Sequence, residues 1–363
     1  MKQTLKSLEQ QENGGITLGF YPYTLVRVIV MRSKLLKKEE YHKLMKMKFG
    51  EIAKHLQDSE YKKEINEFGV RYSGANLLEV ALTRNLARTF QKLRRIAEGN
   101  LQLVVDAYMH RNDIWNIKNI LRGKFVGMSE QEIEDTLIPS GNIKEEILSA
   151  IVRKDSIEDV ISLIPILSKE ETKSSLESYK QNKDLIGVEN ILEMNYINFT
   201  LRFANRLTKQ GKLFKELLEQ EVNIKNLITV LRLKRENLDK KDIEKSMLVS
   251  KELKQSKEYQ KLAELPSFEK ALEYLKKHPE YKKVVQRGIE SYQKDGSLIA
   301  LEADLNKYIL RKALLLQHQH PLSADIILGF MLAKEQEVRN LKAIIKGKQL
   351  GLEDEFIESN LII

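Results

Sequence analysis

One stretch of the sequence occurs three times, and this repetition limits the possible folds more than any other feature. Residues 113–138 align without a gap with residues 223–248 and with residues 337–362. Each copy contains an asparagine, then apolar residues at helical spacing, then basic residues. The repetition predicts three structurally similar helical units. The aligned asparagines are Asn116, Asn226 and Asn340.

A second repeated segment precedes each of these helices and contains an aligned glutamate: Glu79, Glu189 and Glu302. The unit that repeats is therefore the size of a domain, longer than the roughly 20 to 50 residues of a solenoid repeat. Three such units can close into a pseudo-threefold ring or cup, although a linear arrangement also fits the sequence. We predict a polar N-terminal tail over 1–20 and three repeat domains over 21–142, 143–253 and 254–363.

Glycine and proline are sparse, with 17 Gly and 6 Pro, and long stretches are rich in Leu, Ile, Lys and Glu. This composition predicts an all-α fold with few interruptions. The chain has no cysteine, which excludes disulfides and thiolate metal sites. Its most apolar later stretch, residues 324–333, is shorter than the ~20 residues that span a bilayer, so any membrane contact is expected to be peripheral.

The charge balance is basic, with 61 Lys and Arg against 52 Asp and Glu, for a formal net charge of +9. An excess of basic residues invites a nucleic-acid interpretation. Here, however, acidic and basic residues alternate along the predicted helices and form no basic block, which is typical of a solvated helical surface. Nucleic-acid binding is therefore the less favoured alternative, and we predict no nucleic-acid partner.

Motifs that carry catalysis do not occur in the sequence. It has no phosphate-binding G-x-x-x-x-G-K-[ST], no G-x-G-x-x-G, no G-x-S-x-G and no H-E-x-x-H. The pair His318 and His320 would bind a metal only if other ligands converged on it, and the following Pro321 favours a pair at a helix end on the surface. We predict no catalytic residue, no cofactor and no metal site.

The repeated polar residues allow two interpretations. A buried side-chain amide has to be hydrogen-bonded, so each repeated asparagine is expected to bond a neighbouring helix or loop and fix its position. Alternatively, the three amides face a shared cavity and bind a partner. The repeated glutamates recur with Arg122, Arg232 and Lys346, which predicts an ion pair between the two helices of each unit.

Four segments together resemble a known family: "YPYTLVRVIVMRSKLL", "NDIWNIKNILRGKFVG", "LIPSG" and "PLSADIILGFMLAKEQEVRNLKAIIKGKQLGL". In this order they are similar to the C subunit of archaeal A-type (V-type) ATP synthases, and to the d subunit of the eukaryotic vacuolar proton pump. The resemblance runs from about residue 20 to the C-terminus. The middle repeat departs most, since Leu233 replaces the glycine found at 123 and 347.

The resemblance implies three helical domains with pseudo-threefold symmetry in a funnel-like arrangement. Members of that family sit on the cytoplasmic face of the membrane proteolipid ring, receive the shaft formed by the D and F subunits, and couple ATP chemistry mechanically to ion movement. By this resemblance, basic residues at the ends of the repeated helices are expected to border the socket for the shaft. These are Arg122, Lys124, Arg232, Lys234, Lys346 and Lys348.

Two alternatives stay open at the level of sequence. The same cations are equally well explained as solvated residues favoured by the negative ends of the helix dipoles. An α-helical adaptor unrelated to any rotary machine would also keep the threefold repetition.

Overall fold

The chain is described from a computed structural model that covers residues 15–207, 212–249, 257–319 and 325–362. These ranges contain nineteen α-helices and no β-strand, which confirms the predicted all-α class. No helix among them is long and apolar enough to cross a membrane. His320 and the side chain of His318 lie outside the described residues.

The helices recur three times in the same order: shorter helices, then two long helices, then one short helix. The first set consists of α1 (Pro22–Arg32), α2 (Lys38–Lys46), α3 (Phe49–Gln57), α4 (Lys62–Phe68), α5 (Gly74–Ile96), α6 (Asn100–Phe125) and α7 (Glu130–Thr136). The second consists of α8 (Glu145–Val152), α9 (Ile157–Ser162), α10 (Lys169–Asn182), α11 (Ile186–Arg206), α12 (Lys212–Arg235) and α13 (Lys240–Ser246). The third consists of α14 (Lys257–Glu264), α15 (Phe268–Lys277), α16 (Lys282–Asp295), α17 (Ile299–Gln319), α18 (Asp325–Gln349) and α19 (Asp354–Asn360).

The chain forms two compact units, one made of residues 1–192 with 320–363 and the other of residues 193–319. Their limits differ from the predicted repeat limits, because residues 143–192 of the second repeat and helices α18 and α19 of the third belong to the first unit. The division into three repeat domains therefore stays a prediction.

In the first unit, α18 packs against α5, α1 and α3. Its buried apolar residues include Ile327, Phe330, Leu341 and Ile344. In the second unit, α17 packs against α16 and α12 around a core that includes Ile224, Leu275, Ile289 and Leu305. Burial of a large aliphatic or aromatic side chain contributes about 1.5–3 kcal/mol, so these contacts supply most of the stability of the helices.

The second long helix of every repeat ends in the same turn. Gly127, Asn237 and Gly351 have positive φ angles of 75, 58 and 69°. Such left-handed residues at helix ends are usually glycine and sometimes asparagine. In each turn two backbone N–H groups bond back to the last carbonyls of the helix, as in a Schellman motif. In each turn, the bond that spans five residues runs from the N–H of Met128 to the carbonyl of Gly123 (2.8 Å), from Leu238 to Leu233 (3.0 Å) or from Leu352 to Gly347 (2.9 Å).

Capping residues start several of the short helices. Ser129 accepts a hydrogen bond from the backbone of Glu132, and Glu132 accepts one from the backbone of Ser129. Ser168 and Glu171 form the same reciprocal pair at the start of α10. Each capping box satisfies N–H groups that a helix start leaves unpaired, and both can be read from the sequence.

Glycine allows the second long helix to contact the short helix after it in two of the three repeats. A Cβ placed on Gly123 would lie 2.5 Å from Ile133 Cγ1, and one on Gly347 would lie 2.6 Å from Ile357 Cγ1. In the middle repeat Leu233 stands at this position and is only partly buried against the core of its unit. Despite this substitution, the middle repeat keeps the same helix-end turn.

We expect the substitution Gly123→Ala to destabilise the chain by about 1–3 kcal/mol, because the added methyl group would overlap the fully buried Ile133. A matched control is Gly50→Ala in α3, where nothing lies within 4 Å of the new Cβ. There the gain in helix propensity is expected to leave stability unchanged or raise it by up to ~1 kcal/mol. Denaturant unfolding of both variants checks this. Equal stability of the two would contradict the close contact.

Candidate functional site

Each repeated asparagine holds the chain segment that follows its short helix. Asn116 Nδ2 donates to the carbonyl of Ile138 at 2.8 Å, and its Oδ1 accepts from the N–H of Ile138 at 2.7 Å. Asn226 makes the same two bonds to Leu248, at 2.9 and 2.7 Å, and Asn340 makes them to Ile362, at 2.7 and 3.1 Å. We call this pair of bonds the amide clasp.

The amide clasp explains why a poor helix former occupies these positions. All three asparagines are almost fully buried, and a backbone N–H or C=O group that is buried without a partner costs ~1–3 kcal/mol. A side-chain amide has one donor side and one acceptor side, so it can satisfy both groups of one residue at once. This benefit exceeds the roughly 0.7 kcal/mol that asparagine costs in a helix interior relative to alanine.

The repeated glutamates form ion pairs with basic residues of a neighbouring repeat. Our prediction of an ion pair between the two helices of one repeat is therefore wrong. Arg122 binds Glu189 of the next repeat through two hydrogen bonds of 2.6 Å each. Arg232 binds Glu302 of the repeat after that, at 2.6 and 2.5 Å.

The third pair returns to the first repeat: Lys346 lies 3.9 Å from Glu79. The reason why each pair joins two repeats is geometric. The basic residue lies in the last turn of its helix, and the glutamate lies near the start of a long helix. The helix start that faces each basic residue belongs to the following repeat.

The electrostatic environment differs among these pairs. Burial alone would raise the pKa of Glu189, but the hydrogen bond from Arg122 and the charge of Lys118, 3.2 Å away, outweigh burial and lower it. The hydrogen bonds that Arg232 donates to Glu302 raise the pKa of Arg232. Near Glu79, burial instead lowers the pKa of Lys342, which occupies the position equivalent to Lys118 and donates to Thr83 at 2.7 Å. With 3.9 Å between its charged atoms, the pair of Lys346 and Glu79 is the loosest of the three.

The basic residues that the sequence singled out are not equivalent in the structure. Arg122, Arg232 and Lys346 are more than half exposed beyond their pairs with glutamate, and Lys124 is partly exposed. Lys348 is mostly covered and pairs with Asp354 at 2.6 Å. Lys234 is buried and donates to the backbone carbonyl of Leu265, and burial lowers its pKa.

One repeated position with an exposed apolar side chain was not predicted from the sequence. The residue after each left-handed turn is Met128, Leu238 or Leu352, and each side chain is 36 to 40% exposed. Val126 and Leu350 beside them are more exposed still. The same gap-free alignment carries the signal, since 128, 238 and 352 are aligned positions that are all apolar. Each repeat therefore presents a cation and an exposed apolar side chain at the end of its second long helix. We call this combination a helix-end site.

Buried polar residues in the same helices were also missed. His110 and Asp113 in α6 are buried 3.1 Å apart, and Asp113 accepts hydrogen bonds from the backbone of Asn142 and Ile143, each at 2.9 Å. These bonds fix the segment that leads from the first repeat into the second.

The aligned residues of α18 are Lys334 and Glu337, which are buried 2.7 Å apart. Glu337 accepts hydrogen bonds from the backbone of Leu36 at 2.6 Å and from the hydroxyl of Tyr61 at 2.5 Å. Burial and the Glu337 carboxylate raise the pKa of Tyr61, so its hydroxyl stays a donor. Both carboxylates hold the backbone just before a short helix of another repeat, α8 for Asp113 and α2 for Glu337.

Comparison with known proteins gives the family of this arrangement. The model of the ATP synthase (C/AC39) subunit family matches residues 24–360, nearly the whole chain. The chain belongs to this family.

Curated relatives in the ATP synthase (C/AC39) subunit family are matched over almost their full length. Proteins named as the C subunit of A-type ATP synthase are 36% identical in Methanococcoides burtonii, over 94% of both chains, and 36% identical in Methanosarcina barkeri, over 94% of this chain and 93% of the relative. The protein of that name in Archaeoglobus fulgidus is 31% identical, over 94% of this chain and 96% of the relative. An adaptor unrelated to rotary ATPases is therefore no longer an alternative.

We expect Asn116→Leu to destabilise the chain by about 1–3 kcal/mol, because it leaves the partly buried N–H of Ile138 without a partner and removes one of the two hydrogen bonds that its C=O accepts. The matched control is Asn119→Leu on the same helix, one turn further on, where the side chain is partly exposed. That variant is expected to change stability by less than ~0.5 kcal/mol. Thermal and urea unfolding are the measurements. A small effect of Asn116→Leu would show that the amide clasp contributes little.

Double-mutant cycles are expected to rank the ion pairs. The coupling between Arg122 and Glu189 should be about 0.5–1 kcal/mol, and that between Lys346 and Glu79 less than ~0.5 kcal/mol, since both pairs are partly exposed and only the first is bidentate. Because the pKa of Glu189 is lowered in the folded chain, the first coupling is present at neutral pH and is lost as the pH falls through that pKa. A larger coupling for Lys346 and Glu79 would contradict this ranking.

Proposed function

We propose that the chain is a non-catalytic central-stalk component of an A/V-type ATPase, which couples the shaft, formed by the D and F subunits, to the membrane proteolipid ring for ATP synthesis or ion pumping. Membership of the ATP synthase (C/AC39) subunit family supports the proposal, as do the relatives named as the C subunit of A-type ATP synthase. In this proposal the chain lies at the cytoplasmic face of the membrane and contacts the membrane through the ring.

The threefold recurrence of the helix-end site is the observation that best supports the proposed contact with the shaft. Each site joins a cation to an apolar side chain that is partly exposed, and in the first two sites hydrogen bonds to a glutamate fix the direction of the cation. Charge-assisted hydrogen bonds and apolar contacts fit a partner that presents acidic and apolar side chains together, such as the end of a helical shaft. The glutamate partners orient Arg122 and Arg232 before any shaft arrives, which lowers the entropy lost on binding.

Not every cation predicted from the sequence suits this contact. The ammonium group of Lys234 is already bound to the backbone carbonyl of Leu265, and Lys348 is paired and mostly covered. We therefore propose Arg122, Lys124, Arg232 and Lys346 as the residues that meet the shaft. Lys234 and Lys348 hold the loops and helices beside them.

Torque transmission also requires elements that resist deformation, and the amide clasps supply this property. Each clasp binds a non-helical segment to the middle of a long helix through two hydrogen bonds, which are buried in the middle repeat and partly buried in the first, and this restrains the short helix between them. Buried hydrogen bonds of this kind are costly to break. The cyclic order of the ion pairs, from first repeat to second, second to third and third to first, supports a pseudo-threefold arrangement as part of the proposal.

A pull-down in mild detergent tests the proposal. The unsubstituted chain, tagged and expressed with the other components of the complex, is expected to recover shaft and ring together. The triple variant Arg122→Gln, Arg232→Gln, Lys346→Gln is expected to lose the D and F subunits of the shaft at least tenfold at physiological salt, because three exposed charge contacts are removed.

The control variant removes the same charge at exposed lysines that form no ion pair among the described residues: Lys63→Gln, Lys154→Gln and Lys283→Gln. It should retain the shaft as the unsubstituted chain does. Recovery of neither shaft nor ring by the unsubstituted chain would contradict the proposed function. Equal losses in the two triple variants would contradict the helix-end sites.

A further inference from the structure

The first helix leaves an apolar face uncovered. Thr24, Leu25 and Val28 of α1 are buried against the rest of the first unit. On the opposite side Tyr23, Val26 and Val30, at helical spacing, are 51, 60 and 52% exposed. A helix that is apolar on all sides is normally buried on all sides, and exposed apolar patches mark interaction sites.

The charge of this segment differs from that of the rest of the chain. Residues 20–38 contain five basic residues and no acidic residue, whereas acidic and basic residues alternate along the helices elsewhere. Aromatic residues also cluster at its start, where Phe20 is 68% exposed. An apolar helix face with basic flanks and aromatic residues at one end is the combination that binds in the interface of an anionic bilayer.

A cleft of about 300 Å³ opens beside the exposed face of α1. Arg27, Lys34 and Lys92 contribute to its lining, and Val30 and Phe330 form apolar parts of the wall. The Lys34 ammonium is paired with Glu60 at 2.8 Å. Arg27 bonds the hydroxyl of Tyr23 at 2.9 Å, and among the described residues no carboxylate pairs with Arg27 or Lys92. Glu60 also lines the cleft but is paired with Lys34, so Arg27 and Lys92 stand at the cleft without an ion-pair partner among the described residues.

We propose that α1 and this cleft form a binding site for an anionic phospholipid at the membrane surface. The phosphate of the headgroup meets Arg27 and Lys92 in the cleft, since guanidinium and ammonium groups are the usual phosphate ligands. Tyr23, Val26 and Val30 contact the boundary between headgroups and acyl chains. The site goes beyond the proposed function, which routes membrane contact through the ring.

Charge complementarity favours a lipid over a protein as the occupant. A bilayer with anionic lipids offers a continuous negative surface above an apolar layer, and the exposed face of α1 offers apolar side chains with cations on the same side. A neutral apolar protein surface would leave Arg27 and Lys92 without partners.

Sedimentation of the purified full-length chain with vesicles tests the site in the absence of ring and shaft. Binding is expected to vesicles that contain phosphatidylglycerol and not to vesicles of phosphatidylcholine alone, and it should weaken as salt is raised. Inorganic phosphate at matched ionic strength should not release the chain, because the apolar contacts belong to the lipid. Release by phosphate alone would overturn the lipid assignment in favour of a free-anion site.

Variants separate the two parts of the site. Arg27→Glu with Lys92→Glu is expected to weaken vesicle binding at least tenfold, since each basic residue near an anionic surface is worth about a fivefold change in affinity. Val26→Asp with Val30→Asp should weaken it similarly. The matched controls are Lys154→Glu, at an exposed lysine, and Val70→Asp, at a valine that is 89% exposed. Both controls should bind vesicles as the unsubstituted chain does.

A probe of depth gives an independent readout. In a Trp115→Phe background, Tyr23→Trp places one tryptophan on the exposed face of α1, because Trp115 is the only natural one. Brominated phosphatidylglycerol should quench its fluorescence. If neither vesicle type binds the chain, or if the α1 variants lose the ring in the detergent pull-down while vesicle binding is unchanged, the lipid site is wrong and the face belongs to a protein partner. Neither result would affect the shaft contact of the helix-end sites.

Discussion

The bond between a buried asparagine amide and the backbone of one residue 22 positions later is the interaction on which each repeat depends. The bonded residue follows a short helix and belongs to no regular element, so its N–H and C=O have no partner in a helix. One side chain satisfies both groups and fixes the register between the long helix and the returning segment. The turn, the short helix and the end of the long helix then have defined positions, and so does the helix-end site.

Local features of the fold could be predicted from the sequence. The helical period and the capping boxes at Ser129 and Ser168 follow from residues that are close in the chain. The repetition also drew attention to Asn116 and its equivalents. It did so because a polar residue that recurs beside buried apolar residues must be bonded to something.

Long-range pairing could not be predicted in the same way. The partner of Asn116 is the backbone of Ile138, and a backbone group has no signature in the sequence. The prediction of the ion pairs failed for a related reason. The alignment shows that the glutamate and the basic residue recur together, but not which glutamate pairs with which basic residue. Arg122 in fact meets Glu189. The apolar positions after each turn were visible in the alignment, but only their exposure distinguishes them from core residues.

The most direct test of the central claim, that the helix-end sites meet the shaft, uses the absence of cysteine from the chain. Single cysteines at Met128, Leu238 and Leu352, with Val70→Cys as an exposed control, can each carry a photoactivatable cross-linker into the assembled complex. Cross-links are expected from the three helix-end positions to the D or F component of the shaft, and none from position 70. Cross-links to the shaft from position 70, with none from any helix-end position, would contradict the central claim.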